Sequence, residues 1–378
     1  MGKKKKEEKK EVVVVKASNP LDDMNKYFKS IDKKMGGGVI KAGDDDTLQI
    51  KRLSTGIPSL DRALGGGIPI ARHSQFRGPE HSGKSWICLH TIKTLHKNDK
   101  DAWAVYLDVE KSWDPIWAES IGIDINRVKV ITSLTAEGFW DLLSRLLDNT
   151  MIKIIVLDSL ALMAPAAELE EGKDGILKAF TTRSVATQAQ VNTPAMRVVM
   201  NKMKHNSAAI IYINQVRYKI GGYGNPETTP GGQSIKHALS IDVNVRKGDF
   251  YPNKSDREGA LGHYINARVV KNKTYKEQQI SSFLMMTDGS LNEVASILAL
   301  AKEVNYLEDS GIKKGNTYTI NGEKVAGNIR EFENYLKNDE EALISIREGV
   351  EKALNKEDNL YELSSDKDVE EVDEEEDS

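Results

Sequence analysis

Eight residues, Gly78-Pro79-Glu80-His81-Ser82-Gly83-Lys84-Ser85, follow a β-rich stretch and open a helical one, and this placement constrains the fold more than any other feature. Small residues at that spacing let successive backbone N–H groups curl around phosphate oxygens, and a helix N-terminus adds favourable partial charge. Such a loop needs a strand to deliver it and a helix to leave it, the unit from which α/β sheets are wound. Lys84 is placed to reach the β- and γ-phosphates of a nucleoside triphosphate, and the Ser85 hydroxyl to ligate Mg²⁺. The pattern also occurs in ordinary glycine-containing turns, so its surroundings have to decide.

Those surroundings alternate short β-rich runs with helical patterns. The runs are Ser74–Phe76, Ala102–Asp108, Val128–Thr132, Ile152–Asp158, Ala208–Asn214, Asp242–Arg246 and Ile265–Lys271. Alternation of this kind predicts an α/β fold with a mainly parallel sheet flanked by helices. Three runs end in chemistry. Ile152–Asp158 is almost wholly apolar and closes on an acid that either completes a magnesium shell or caps the next helix. Tyr106-Leu107-Asp108-Val109-Glu110 brings Glu110 to a strand end, either as a group that polarises an attacking water or as a solvated loop acid. Ile210-Ile211-Tyr212-Ile213-Asn214-Gln215 ends on an amide that can donate to phosphate and accept from backbone at once, which suits a γ-phosphate sensor. The loop from Val216 to Gly232 then interleaves Gly, Pro, basic and aromatic residues without period, as a lid or a nucleic-acid contact would.

The chain has 378 residues, enough for one large core and appendages. Its net charge of −4 hides two opposite ends, lysine-rich from Lys3 to Lys10 and acidic from Asp366 to Asp377. A single cysteine, Cys88, excludes an internal disulfide and suits a reducing, cytoplasmic setting. No apolar run approaches the ~20 residues that span a bilayer, so no membrane is expected as a partner. The seven histidines lack metal-binding spacings. The organisation expected is a disordered basic arm over 1–18, then a helix-and-strand module over 19–47, in which an amphipathic helix (Met24, Tyr27, Phe28, Ile31, Met35) is stopped by Gly36-Gly37-Gly38 and followed by a short strand at Val39-Ile40. An ATPase-like core follows over 48–287, then a small α+β domain over 288–355 with a hairpin turning at Asn321-Gly322, and a disordered acidic tail over 356–378.

Taken together, these residues resemble the RecA family of homologous recombinases. The resemblance is carried by Gly78–Ser85, by Ile213-Asn214-Gln215-Val216-Arg217, by Gly224-Asn225-Pro226-Glu227-Thr228-Thr229 with Gly231-Gly232, and by Val269-Val270-Lys271-Asn272-Lys273. The Asn-Pro-Glu-Thr-Thr run is the specific element, since other triphosphate-binding folds lack it. What the resemblance implies is a DNA-dependent ATPase that uses ATP and Mg²⁺ and forms a helical filament of its own copies on single-stranded DNA. That filament pairs a homologous duplex for strand exchange, helped by loading or mediator proteins. It implies that Lys84 and Ser85 hold phosphate and magnesium, that Asp158 supports the metal, that Glu110 activates water and that Gln215 senses the γ-phosphate. Lys271 and Lys273 would reach the nucleotide of a neighbouring subunit, Asp114 would contact adenine, and Trp117 would stack on the base where the family has tyrosine. Arg217, Lys219, Ile220, Gly231, Gly232 and Gln233 would contact DNA, with Ile220 wedged between bases, whereas the first DNA loop near Ala167–Glu170 departs from the bacterial pattern. The N-terminal helix and Val39-Ile40 resemble the family's polymerisation arm. Two other classes share parts of this pattern: a mediator that binds ATP as a switch without turnover, and a ring helicase, which would not need the Asn-Pro-Glu-Thr-Thr loop.

Overall fold

A strand with no polar face belongs in the middle of a sheet covered on both sides, and Ile152–Asp158 lies there. The computed structural model describes residues 20–171, 187–203, 208–218, 227–253 and 257–367, in two units that meet in sequence between Gln49 and Ile50. In the second unit a small antiparallel pair, β1 (Arg52–Leu53) and β2 (Ile68–Pro69), precedes the main sheet. That sheet comprises β3 (His73–Gly78), β4 (Trp103–Asp108), β5 (Val128–Ile131), β6 (Ile152–Asp158) and β7 (Ala209–Gln215), then β10 (Ile241–Tyr251), β11 (Gly262–Asn272) and β12 (Ile280–Met286). Between β7 and β10 a two-stranded ribbon forms from β8 (Arg217–Tyr218) and β9 (Glu227–Thr228). The strand order is β12-β11-β10-β3-β7-β6-β4-β5, parallel from β10 to β5.

Period-2 alternation divides the core. Ile154 and Val156 face one side with Ile87, Ile92, Ala104 and Ile211, where the helix Lys84–Asn98 packs. Ile155 and Leu157 face the other with Phe139, Leu143, Val199 and Ile210, from the helices Ala136–Leu146 and Thr187–Lys202. Both sides exclude water, and each fully buried isoleucine contributes about 1.5–3 kcal/mol relative to exposure.

Two features of the sheet differ from the expectation. β11 and β12 are antiparallel to their neighbours, because the chain between β10 and β11 is too short for the helical crossover that parallel pairing needs. β12 itself, which alternates around the buried Phe283, was not among the β-rich runs. The expected mainly parallel α/β sheet flanked by helices is nevertheless what the chain forms.

The C-terminal segment builds its own core from Ile297, Leu300, Tyr318, Phe332, Leu336 and Ile346. Its three-stranded sheet, β13 (Lys313–Lys314), β14 (Thr317–Ile320) and β15 (Glu323–Ala326), contains the hairpin expected at Asn321-Gly322, where both residues have positive φ. The last helix, Glu340–Lys367, runs past the boundary at Lys356 expected for a disordered tail. Its first turns are anchored by the buried Ala342, Ile346 and Val350, and once such a nucleus exists, lysine- and glutamate-rich sequence propagates it at little cost. The lysine-rich arm and residues 368–378 lie outside the described residues.

In the first unit the helix Pro20–Lys34 forms as expected, with Leu21, Met24, Tyr27 and Phe28 exposed. Val39-Ile40 is not a strand. The Asp32 carboxylate instead accepts hydrogen bonds from the backbone N–H groups of Gly38, Val39 and Ile40 at 2.7–2.8 Å, and these bonds hold that carboxyl below its ordinary value. The donors a strand would offer to a ladder are committed locally.

Candidate functional site

The parallel register sets the site. Gly78 pairs with Gln215 across β3 and β7, and Asp108 pairs with Asp158 across β4 and β6, so four strand ends deliver their last residues to one edge. Ligands of open α/β sheets bind at that edge, outside the carboxyl ends of the strands. A cavity of about 730 Å³ lies there, and the phosphate-loop residues Glu80 to Ser85, Glu110, Asp158 and Gln215 all line it.

The loop is held open by glycine. Gly83 sits at φ +94° as the cap of the helix Lys84–Asn98, and a Cβ on Gly78 would stand 2.1 Å from the carbonyl oxygen of Val245. A side chain at Gly78 would have to move backbone, and one at Gly83 would be strained by the positive φ and would press on the Ile265 side chain. The Lys84 ammonium donates to the carbonyls of Gly78, at 3.2 Å, and of Pro79. Burial pushes its pKa down, against the opposing pull of Asp158, Glu110 and Glu80.

Asp158 is placed where a carboxylate could hold a metal. Its Oδ2 accepts from Ser85 Oγ at 2.7 Å and from the Tyr106 hydroxyl at 2.6 Å, while Oδ1 is buried with no hydrogen-bond partner among the described residues. A buried carboxylate oxygen left over beside a hydroxyl fits a hard cation or its water shell, and magnesium characteristically takes one or two protein oxygens plus substrate phosphates. The Asp158 carboxylate does not cap the following turn.

Glu110 is exposed at the mouth of the cavity, on a loop fixed twice. The backbone N–H groups of Val109 and Glu110 donate to the Asp158 carbonyl at 2.7 and 3.1 Å, and the Asp108 carboxylate accepts from Ser112 N and Trp113 N, each at 2.9 Å. Partial burial and the nearby Asp158 charge raise the Glu110 pKa, with Lys84 pulling the other way. A raised carboxylate near a phosphate cradle is a stronger base than an ordinary one. Tyr106, which helps hold this arrangement, carried no sequence signal of its own, since its partner Asp158 lies on another strand.

Not every expected residue reaches the cavity. Asp114 accepts from Ile116 N and so caps the helix Pro115–Ile121. Trp117, on the same helix, packs so closely on Gly289 that a Cβ there would be 2.8 Å from the indole, and Trp86 Nε1 donates to the Gly289 carbonyl at 2.8 Å from the cavity side. Lys271 and Lys273 stand at the end of β11, donating to the carbonyls of Lys236 and His237 at 2.7 Å each. Neither lysine lines this chain's cavity.

The second loop is described only at its base. Arg217 pairs with Thr228 in the ribbon, Gly231 and Gly232 have positive φ, and Gly232 caps a short helix that begins at Gln233. Lys219 and Ile220 lie outside the described residues. The base is tied to the phosphate-loop strand: Asn214 Nδ2 bridges Gln75 Oε1 and the Pro230 carbonyl at 3.0 Å each. Glu227 pairs with Arg77 at 3.6 Å and with Arg246, and Arg77 Nε also meets Asp242 at 3.0 Å. Ala167–Glu170 falls on a single helical turn, Ala166–Leu169, and its end.

The comparisons agree with this geometry. A family model described as the RecA N-terminal domain matches residues 22–291. Among curated relatives, Protein RecA of Synechocystis sp. is 30% identical over 334 residues, covering 88% of this chain and 90% of that protein. Protein RecA of Synechococcus elongatus is 31% identical over 304 residues, covering 80% and 81%.

Proposed function

The chain belongs to the RecA family, as a recombinase with roles in recombination and repair, and from that premise we propose that it is a DNA-dependent ATPase whose nucleotide state controls a filament on single-stranded DNA. One observation carries the reading: Lys84, Ser85, Glu110, Asp158 and Gln215 line one cavity at the carboxyl edge of a parallel sheet. ATP and Mg²⁺ are the cofactors this cavity fits, the magnesium neutralising charge that develops on the phosphates. Ser85 and Asp158 hold the metal side, the backbone of Pro79 to Gly83 cradles phosphate, and Lys84 shifts from loop carbonyls to phosphate oxygen. Glu110 orients and deprotonates the attacking water. Gln215 shares a strand end with the phosphate loop and is followed by the second-loop ribbon, so an amide that follows the γ-phosphate is mechanically joined to the DNA contact.

Lys271 and Lys273, away from this chain's own cavity, serve the nucleotide of a neighbouring copy. In that arrangement ATP lies between subunits. Arg217, Lys219, Ile220, Gly231, Gly232 and Gln233 contact single-stranded DNA and then the homologous duplex, while Asp114 and Trp117 face the base. Trp117 replaces the family's tyrosine with another flat ring able to stack.

The test compares DNA-stimulated ATP hydrolysis and strand exchange in the wild type, Lys84→Ala and Glu110→Ala. Lys84→Ala is expected to lose both activities. Glu110→Ala should still assemble on DNA with ATP but turn over at least ~100-fold more slowly, the usual size of a general-base effect. Normal hydrolysis by Glu110→Ala would remove it from the water-activating role, and normal binding and turnover by Lys84→Ala would remove the cavity from ATP chemistry altogether.

A further inference from the structure

Three side chains of the antiparallel end of the sheet line the same cavity and have no part in the chemistry above: Lys247 on β10, His263 on β11, and Arg257 between those strands. This end of the sheet is in contact with the phosphate loop. A Cβ on Gly83 would stand 2.4 Å from Ile265 Cδ1, and the carbonyl of Val245 leaves Gly78 no room for a side chain. Lys247 is directly opposite Ile265 in the β10–β11 register, and His263 is opposite Phe250 across an irregularity in that register. The pairing thus places both residues beside the loop.

Charge supplies the argument. Glu80, Glu110 and Asp158 bring three carboxylates to the lining, and Lys84 is the phosphate loop's only fixed cation there. With that set alone the cavity would be net negative and would oppose a polyanion. Lys247 and Arg257 cancel that excess, one cation for each carboxylate. Lys247 holds its ammonium 4.7 Å from the centroid of the Phe250 ring, a contact that steadies the side chain without neutralising it. His263 Nε2 is buried with no hydrogen-bond partner among the described residues. Burial, and secondarily the Lys247 charge, keep the ring below its ordinary pKa and so neutral near pH 7, with one N–H to donate.

We propose that Lys247 and Arg257, assisted by His263, form a second phosphate-binding wall that the β10–β11 segment supplies to the nucleotide of its own subunit. The proposal rests on the triphosphate reading of the cavity and adds residues to it. These cations act on the same nucleotide as Lys84, in contrast to Lys271 and Lys273, whose proposed target belongs to a neighbour.

The test uses the full-length chain and measures Mg²⁺-dependent binding of fluorescent ATP and ADP analogues by anisotropy. Lys247→Ala and Arg257→Ala should each weaken ATP-analogue binding by about three- to tenfold, and the double variant by more. Lys247→Arg should restore most of the loss, thermal unfolding should be unchanged, and Lys324→Ala, an exposed lysine of the C-terminal hairpin, should bind like wild type. His263→Asn, which keeps a donor, should bind more tightly than His263→Phe. Should Lys84→Ala weaken binding while Lys247→Ala, Arg257→Ala and the double variant match wild type, the second wall is overturned and the triphosphate reading stands. A wild-type chain that binds neither analogue overturns both. Single-stranded DNA binding without nucleotide distinguishes the other source of phosphate: lost DNA affinity with intact nucleotide affinity would assign these cations to DNA and overturn the proposal.

Discussion

His73 shows how a single buried side chain sets the behaviour of the core. It lies on β3, stacked on Tyr212 with Nδ1 2.8 Å from that hydroxyl, and burial, with a smaller push from Arg72, lowers its pKa to about 3. In the unfolded chain the ring titrates near its ordinary 6.5, so the unfolded state binds a proton that the folded state refuses. Stability is therefore complete above about pH 6.5 and falls as pH drops toward 3, by up to ~1.4 kcal/mol per pH unit from this one group. Urea denaturation at pH 7 and pH 5 should show a smaller loss in His73→Gln than in wild type, and an equal loss would clear the ring of responsibility. At this scale the sequence was most legible where chemistry stands at a strand end, as for Lys84, Ser85, Glu110, Asp158 and Gln215. It was silent on Tyr106, whose bond to Asp158 depends on the register of β4 against β6, a pairing between residues far apart in the chain.

Between elements, the informative connection is the charge network at the base of the second loop. Arg77, one residue before the phosphate loop, is 12% exposed at its side chain and is shared by Glu227 at 15% and Asp242 at 17%. Glu227→Gln removes one carboxylate from Arg77 and from Arg246 together, and so should destabilise the chain by about 1–3 kcal/mol, as leaving a mostly buried charge short of its partner does. Because the same residue ends the ribbon, the variant should also weaken the stimulation of ATP hydrolysis by DNA more than hydrolysis without DNA. A uniform loss of both, or of neither, would separate the network from the link between DNA and nucleotide. The elements themselves were largely readable from period and composition. β12 and the antiparallel turn after β10 were not, because the length of a connection and the strand it returns to are settled by packing of the whole sheet rather than by local propensity.

For the molecule as a whole, the sheet and its two covered faces were visible in the sequence, whereas the end of the last helix and the conformation of Val39-Ile40 were not. In both places a neighbour overrides local composition, a buried anchor in the first case and the Asp32 carboxylate in the second. If copies of this chain assemble through the N-terminal segment, Asp32→Ala should lower the concentration needed for self-association roughly threefold or more while leaving nucleotide affinity unchanged, as sedimentation and anisotropy would show. An unchanged or higher threshold would mean that the carboxylate does not compete with assembly. The three amides gathered on Asp32 also bear on solitary molecules. An unpaired strand edge invites indiscriminate pairing, and here the segment is sheathed by its own side chain, so only a surface that outbids a carboxylate for those donors can draw it out.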